Sequence, residues 1–256
     1  MLEFAEYEPP GWLEDKAPTG DVRRIRLRSG TIGASVHGLL WSPPQAFARE
    51  TLPLLVAHDG PEYATFSSLL RLLDVASARR WIPPIRAALL APVDRNQHYS
   101  ASEQYATALA HDILPALRER APTRTPPIGL GASLGALALL HAHRSHPSLF
   151  GGLFLQSGSF FRARTDVQES RFPYFRRITR FLDRVHAAKE WPEPIPVTIT
   201  CGTAEENLGN NRAAAAALAA QGYPVAFHEQ RDAHNWVSWR DSFDPPLVKL
   251  LTRVWE

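Results

Sequence analysis

Five short apolar runs constrain the fold of this chain more than any other feature of its sequence. They are three to seven residues long and occupy residues 52–57, 85–91, 128–130, 152–155 and 195–200. Such short, nearly continuous runs are typical of strands buried on both faces, because helices cover a parallel sheet from both sides. The sequence therefore predicts a mostly parallel sheet enclosed by helices.

The segments around these runs predict how the sheet begins and what covers it. Residues 20–29 and 33–41 mix apolar with charged or polar side chains, as half-exposed strands do. They predict two antiparallel strands that precede the parallel part of the sheet. Residues 101–120 carry apolar side chains close to a 3.6-residue period, while 134–143 and 212–221 are rich in alanine, so all three are predicted helices. We expect an α/β fold with a mostly parallel central sheet, helices on both faces and antiparallel N-terminal strands.

The charge and composition of the chain exclude several classes of function. Its 256 residues carry a net charge of +2, which is too small to predict binding to nucleic acid or to an anionic membrane. No apolar run approaches the ~18–20 residues of a membrane-spanning helix, and the acidic N-terminal segment does not resemble a secretory signal. Cys201 is the only cysteine, which fits a reducing compartment. We expect a cytoplasmic protein without nucleic-acid or membrane partners, and the sequence leaves its oligomeric state open.

We expect residues 1–256 to form a single domain, because a sheet built from runs spread along the chain needs that length to bury its core. Residues 160–189 differ from the rest of the chain. They carry repeated arginines interleaved with phenylalanines and a tyrosine, and they lie between two predicted strands. This pattern indicates an insertion-like helical segment.

Residues 131–135 read Gly-Ala-Ser-Leu-Gly and match the pattern G-x-S-x-G. The pentapeptide follows the run 128–130 and opens the predicted helix 134–143, which is the strand–turn–helix context of a nucleophile elbow. Small residues on either side of the serine let the strand and the helix approach, and the turn then exposes the hydroxyl of Ser133. We predict Ser133 to be a nucleophile, and the alternative is a structural turn that happens to contain a serine.

A serine hydroxyl needs a neighbouring base, and His234 is the predicted one. It follows the last predicted strand and lies C-terminal to Ser133, which fits the Ser–acid–His order of this arrangement. Glu205, after a buried run, is the first choice for the acid that orients the imidazole, and Glu206 is the second. Both glutamates could instead only favour the N-terminus of the following helix, and Asp232 is a weaker rival because it lies so close to His234 in sequence.

Other histidines compete for the role of the base. They are His58, His98, His141, His143 and His146. The last three are two, three and five residues apart, which does not match the i, i+4 spacing of a metal site on a helix. We interpret these three as packing or surface residues, and we predict neither a metal nor a cofactor.

A developing oxyanion needs backbone N–H donors. Leu134, the residue after the predicted nucleophile, is one candidate because it lies at a helix N-terminus. The second donor is expected in the loop after the first buried run, where Gly60 or a neighbour is the candidate because Pro61 has no N–H. In the same loop, His58 and Asp59 could instead bond to the elbow and hold the loop.

Taken together, these motifs resemble an esterase family that includes esterase D, enterochelin esterases, feruloyl esterases and mycolyltransferases. The similarity extends from Gly20 to the end of the chain, and it implies an α/β-hydrolase fold with Ser133 as nucleophile and His234 as base. The family's acid stands three residues after a strand-ending glycine, which favours Glu205. One departure is Pro61, because several relatives place an oxyanion N–H at that position. The markers are HDG at 58–60, RNQHY at 95–99, GASLG at 131–135, QSGSF at 156–160, GTAE at 202–205 and AHNW at 233–236.

The resemblance implies a serine esterase that acts on a small-molecule ester and needs no cofactor. The family builds a pocket wall where residues 160–184 lie, and Tyr99, Trp236 and Trp239 could flank the cleft. Tyr99, Arg95 and Trp236 are candidate substrate-binding residues. An aromatic, partly anionic ester such as a siderophore-type catecholate would suit arginine and tryptophan together. The simpler interpretation of 160–189 is a solvated arginine face and a packed aromatic face. An acyltransferase using the same triad is one alternative function, and a non-catalytic binding protein, which Pro61 motivates, is another.

Overall fold

An eight-stranded sheet runs through the structure, a computed structural model that describes residues 7–47 and 50–255. Its strands are β1 (Asp21–Ser29), β2 (Ala34–Ser42), β3 (Leu54–His58), β4 (Arg86–Leu90), β5 (Ile128–Ala132), β6 (Gly152–Gln156), β7 (Val197–Gly202) and β8 (Val225–Gln230). From one edge to the other they follow the order β1-β2-β4-β3-β5-β6-β7-β8.

The pairing of the strands divides the sheet into an antiparallel N-terminal part and a parallel remainder. β1 pairs antiparallel with β2, and β2 pairs antiparallel with β4. Every pairing among β3 to β8 is parallel. The five apolar runs coincide with β3 to β7, and the two mixed segments coincide with β1 and β2. The predicted α/β architecture is therefore confirmed.

The side chains of β3 illustrate why the apolar runs form central strands. Leu54 and Val56 belong to the hydrophobic cluster on one face of the sheet, whereas Leu55 and Ala57 belong to the cluster on the other. All four are buried. Since successive side chains of a strand point to opposite faces, a strand covered on both sides must be apolar throughout.

β1 forms one edge of the sheet and is buried on one face only. Its residues Ile25 and Leu27 face the core, while Arg24, Arg26 and Arg28 alternate with them and are exposed. This alternation is that of a strand with one solvated face, as predicted for the entry to the sheet.

Helices cover both faces of the sheet. They are α1 (Gly60–Phe66), α2 (Leu69–Ala78), α3 (Arg95–Tyr99), α4 (Glu103–Ala108), α5 (Leu114–Arg120), α6 (Leu134–Ser145), α7 (Phe175–Ala187), α8 (Leu208–Ala220), α9 (Trp236–Asp241) and α10 (Val248–Trp255). A π-helical turn, Leu109–Ile113, joins α4 to α5, so the predicted helix 101–120 is present with an irregular centre. Across the residues that the structure describes, no helix is long and apolar enough to span a membrane.

The Arg-rich segment 160–189 contains the 3-10 turn Val167–Arg171 and α7. Its arginines are exposed except Arg177, which donates hydrogen bonds to the backbone carbonyls of Gln97 and Ser100. The simpler interpretation of this segment, with solvated arginines and a packed apolar face, is confirmed, while the single-domain boundary at 1–256 stays a prediction. The buried face of α7 consists of Phe175, Ile178, Thr179, Phe181, Leu182 and Val185.

Candidate active site

The predicted nucleophile stands on a tight turn between a strand and a helix. β5 ends at Ala132, Ser133 has φ 56° and ψ −122°, and α6 begins at Leu134. A positive φ is costly for a residue with a Cβ, and such strain is concentrated at functional sites. The strand–turn–helix context predicted for Ser133 is present.

The glycines on either side of Ser133 explain how this turn closes. A Cβ added to Gly131 would lie 2.8 Å from the carbonyl carbon of Gly135, closer than real Cβ contacts allow. A Cβ on Gly135 would lie 3.3 Å from the Cβ of His58 and 3.4 Å from Oδ2 of Asp59. Strand and helix therefore approach through glycine, and the loop after β3 packs directly against the first turn of α6.

The hydroxyl of Ser133 lies 3.0 Å from the hydroxyl of Ser159, within hydrogen-bonding distance. The backbone of Ser133 is held by the same neighbourhood, because its N–H donates to the carbonyl of Gln156 at 2.9 Å and its carbonyl accepts from the N–H of Ser159 at 3.1 Å. In the described part of the chain, Ser133 makes no hydrogen bond with His234.

A glutamate and a histidine form the second part of the site. Nδ1 of His234 lies 2.7 Å from Oε2 of Glu205, while Oε1 accepts hydrogen bonds from the Ser157 hydroxyl at 2.6 Å and the Gly202 N–H at 2.7 Å. The Glu205 side chain is 1% exposed and that of His234 is 42% exposed. The carboxylate thus occupies Nδ1 of the imidazole and leaves Nε2 free to act as a base.

The surroundings of Glu205 favour its ionised form. Burial on its own raises the pKa of this carboxyl, but the hydrogen bonds from His234, Ser157 and Gly202 outweigh burial and hold the pKa below its usual range. The other two candidate acids have different surroundings. Glu206 is exposed, and Asp232 accepts hydrogen bonds from the Ala233 N–H and the Asn235 amide. Of the three carboxylates, the structure brings Glu205 against His234.

The two predicted oxyanion donors each begin a helix. Leu134 is the first residue of α6, and Gly60 is the first residue of α1, after Asp59 at φ 50°. Among residues 7–47 and 50–255, neither N–H has a hydrogen-bond acceptor. A Cβ on Gly60 would lie 2.2 Å from the backbone of Leu89, which restricts this position to glycine. Pro61 follows within α1 and adds no N–H donor.

His58 is a structural residue and not a competing base. It is fully buried, with Nδ1 3.2 Å from the Gly135 carbonyl and Nε2 3.1 Å from the Tyr105 hydroxyl. Burial lowers the pKa of His58 to about 4, so the ring is neutral and satisfies both contacts with one proton. The alternative interpretation, in which His58 bonds to the elbow and holds the loop, is confirmed.

The three predicted substrate-binding residues have different environments. Arg95 makes a two-pronged ion pair with Asp59, with N···O distances of 2.9 and 2.8 Å, so it supports the loop that precedes Gly60. Tyr99 has no exposed surface and stacks on His58 with ring centroids 4.6 Å apart. The prediction that Tyr99 flanks the cleft is wrong, because its ring is packed into the core beneath the loop.

Trp236, the third of these residues, lies in a group of aromatic rings next to the candidate base. Its ring is 5.1 Å from that of Tyr63, 6.0 Å from that of Phe66 and 4.7 Å from that of Trp239, which in turn lies 5.0 Å from His234. Phe66 is 56% exposed. Sequence reasoning missed Phe66 and Tyr63, because α1 is too short to show a clear periodicity.

Sequence reasoning also missed the roles of Ser157 and Ser159, which contact Glu205 and Ser133. The sequence did indicate that these serines lie near the site, because both follow the buried run 152–155. The carboxyl ends of parallel strands meet at one edge of a sheet, so residues after this run are expected near Ser133 and Glu205.

The fold and this site define an α/β-hydrolase: a mostly parallel sheet, a serine on a strained strand-to-helix turn, and a carboxylate–histidine pair. The chain belongs to the protein family described as "Putative esterase", whose model matches residues 29–250.

Known proteins similar to this chain agree with that family. The iron(III) enterobactin esterase of Escherichia coli K12 is 25% identical over 253 residues, which cover 94% of this chain and 60% of that protein. The chain thus spans about three fifths of the length of this relative. The enterochelin esterase of Shigella flexneri has a similar structure, with a TM-score of 0.83 at 22% identity over 100% of this chain and 64% of that one. A ferulic acid esterase has a TM-score of 0.77 at 15% identity over 92% of this chain and 99% of that one.

Proposed function

We propose that this protein is a serine esterase in which Ser133, His234 and Glu205 form a catalytic triad. The observation that carries the proposal is the 2.7 Å contact between Glu205 and Nδ1 of His234. It orients the imidazole and leaves Nε2 as the atom that can accept a proton, as a hydroxyl nucleophile requires. The strained turn at Ser133 supplies the hydroxyl.

The reaction follows from these positions. Nε2 of His234 takes the proton of Ser133 as the hydroxyl oxygen attacks the ester carbonyl, and Glu205 balances the positive charge of the imidazolium. The N–H groups of Leu134 and Gly60 stabilise the oxyanion. His234 then donates the proton to the leaving alcohol, and a water molecule, activated in the same way, releases the acid from Ser133. No step of this scheme requires a cofactor or a metal.

We propose an aromatic or siderophore-type ester as the small-molecule substrate. The relatives named above support this substrate class, since their names specify enterobactin and ferulic acid as what they act on. The exposed ring of Phe66 lies 6.0 Å from the half-buried ring of Trp236, which follows His234 by two residues, and the two rings offer apolar surface for an aromatic group. A cytoplasmic location, which the single cysteine Cys201 favours, stays a prediction.

The first test combines labelling with kinetics. Wild-type protein should react with a fluorophosphonate probe at Ser133 and hydrolyse a p-nitrophenyl ester. Ser133→Ala should abolish labelling and lower hydrolysis by at least about 10³-fold, because residual catalysis would come only from the oxyanion donors and binding. Ser170→Ala, which alters an exposed serine in the Arg-rich segment, is the matched control and should keep both activities.

Four outcomes would contradict parts of the proposal. Hydrolysis that survives Ser133→Ala would exclude this nucleophile, and wild-type protein that takes no label would favour a binding protein on the same fold. If the wild type forms esters from added alcohols faster than free acid, it is an acyltransferase. A screen of short alkyl, feruloyl and catecholate esters then defines the acyl group, and equal rates on all three would contradict the aromatic preference.

A further inference from the structure

A three-residue turn after β6 contacts both parts of the candidate site. We call residues 157–159 the bridging turn. At one end, the Ser159 hydroxyl lies 3.0 Å from that of Ser133. At the other end, the Ser157 hydroxyl donates to Oε1 of Glu205 at 2.6 Å. The proposed nucleophile and the proposed acid are therefore held by hydroxyls only two residues apart in the chain.

The bridging turn is itself rigidly held. The Gly158 N–H donates to the Asn211 side chain at 2.8 Å, and the Asn211 amide donates back to the Gly158 carbonyl at 3.0 Å. Asn207 donates to the carbonyls of Ser157 and Gly158. These groups are buried, and Ser159 is 5% exposed. The Ser159 hydroxyl therefore occupies a defined place next to Ser133 before any substrate binds.

The two ends of the turn act on different groups. The Ser157 hydroxyl accepts a hydrogen bond from Nε1 of Trp239 at 2.9 Å, so its own proton is committed to Glu205. The Ser159 hydroxyl contacts Ser133, and within the described residues no other side chain bonds to it. Its proton is therefore free to point at the oxygen of Ser133.

We propose that Ser159 is a positioning residue that donates a hydrogen bond to the attacking oxygen of Ser133. The proposal rests on the esterase function proposed above. A hydroxyl oxygen can accept one hydrogen bond while it donates another, so Ser133 can accept from Ser159 and still pass its proton to Nε2 of His234. Ser159 keeps its own proton throughout.

The expected consequence is a selective effect on the chemical step. As the Ser133 proton moves to His234, negative charge develops on the Ser133 oxygen, and hydrogen bonds to charged acceptors are roughly twice as strong as neutral ones. The Ser159 bond should therefore be stronger in the acylation transition state than in the resting enzyme. An interaction of this kind raises kcat and leaves KM nearly unchanged.

Ser159→Ala is the direct test, measured by hydrolysis of a p-nitrophenyl ester and by the rate of fluorophosphonate labelling. We expect kcat and the labelling rate to fall by about 10- to 100-fold, with KM within about 3-fold of the wild type. Ser159→Thr, which keeps the hydroxyl, should restore most of the rate. Thermal unfolding checks that both variants are folded, and if the threonine variant is not, the alanine variant alone decides.

Ser157→Ala is the matched comparison at the other end of the bridging turn. It removes a hydrogen bond from Glu205, so it should move the acid limb of the pH–rate profile, whereas Ser159→Ala should lower the plateau without moving that limb. A structural role for the turn would produce the same change in both variants.

Two results would overturn the inference while the proposed function stands. In the first, Ser159→Ala reacts at least as fast as the wild type. In the second, Ser159→Thr is folded but reacts as slowly as the alanine variant. The first would mean that Ser133 donates to Ser159 and is merely held in a resting position. Wild-type protein without labelling or hydrolysis would remove the proposed function and this inference together.

Discussion

The proposed acid–base half and the proposed nucleophile half of the site are held in different ways. Glu205 accepts three hydrogen bonds, one of them from His234, and its ionised form is favoured by them. The Ser133 hydroxyl has a single hydrogen bond among the described residues, and its turn is shaped by the close approach of Gly131 to Gly135. Charge-assisted hydrogen bonds hold Glu205 and His234 in place, whereas the close packing of glycine backbones shapes the turn that carries Ser133.

This difference determines what each half tolerates. A neutral amide with the shape of a carboxylate weakens the charge-assisted bonds of the first half and leaves its packing intact. An added methyl group leaves all charges in place but cannot enter a turn where glycine backbones touch. Substitutions that change charge but not shape should therefore act on the Glu205–His234 half. Substitutions that change shape but not charge should act on the turn at Ser133.

The largest effect is expected from Glu205→Gln. The amide loses the charge that balances the imidazolium of His234, so kcat should fall by about 10³- to 10⁴-fold, with little change in urea unfolding at pH 7. Steady-state hydrolysis of a p-nitrophenyl ester measures the loss. Glu206→Gln changes the neighbouring exposed carboxylate and should behave as the wild type. Equal activity in the two variants would contradict the assignment of the acid.

A smaller effect is expected at His58, which supports the nucleophile half. Burial lowers the pKa of His58 to about 4, below the value of about 6.5 in an unfolded chain. The unfolded chain therefore binds this proton more readily, so the free energy of unfolding is highest above pH ~6.5 and falls as the pH decreases toward ~4. Between pH 7 and pH 4.5 the free energy of unfolding, measured with urea, should decrease in both proteins. The decrease should be about 2–3 kcal/mol smaller in His58→Gln than in the wild type.

The control for this experiment is His37→Gln, which alters an exposed histidine of β2 and should keep the wild-type pH dependence. Burial also lowers the pKa of His141 and of His143 to about 4, so part of the pH dependence remains in every variant. Identical pH dependence in the wild type and in His58→Gln would show that the ring is not buried and neutral as described.

The smallest effect is expected from a methyl group added at the elbow. Gly131→Ala places a Cβ against Gly135 and should reduce the free energy of unfolding by about 1–3 kcal/mol. Gly209→Ala is the matched control, because a Cβ there meets no atom within 4 Å and the residue lies in α8. Helix propensity predicts a gain of up to about 1 kcal/mol for it. If both variants unfold at the same urea concentration, steric fit does not hold the elbow.

The parts of the fold that local patterns encode were predictable from the sequence. The five apolar runs indicated β3 to β7 because strands covered on both faces must be apolar throughout. The helices α1 and α3 have seven and five residues, too few for a clear period, and neither was predicted. Their positions depend on packing against the ends of β3 and α6, which no local pattern encodes.

The same distinction between local sequence patterns and tertiary packing applies to the site. Ser133, Glu205 and His234 were predicted because each follows a predicted strand in the expected order along the chain. The contact between Ser133 and Ser159 was missed because it depends on β5 and β6 being neighbours, and strand order is a tertiary property. The same reason explains the error at Tyr99, whose ring was expected in a cleft and is stacked on a buried histidine.

The arginines of β1 have a consequence for how copies of this protein behave in concentrated solution. An edge strand offers unpaired backbone groups to any other strand that approaches, which is a common route to aggregation. Here a second copy that approaches the same edge would bring its own Arg24, Arg26 and Arg28 against an identical row of positive charges. Mutual repulsion between the two rows opposes edge-to-edge growth of the sheet.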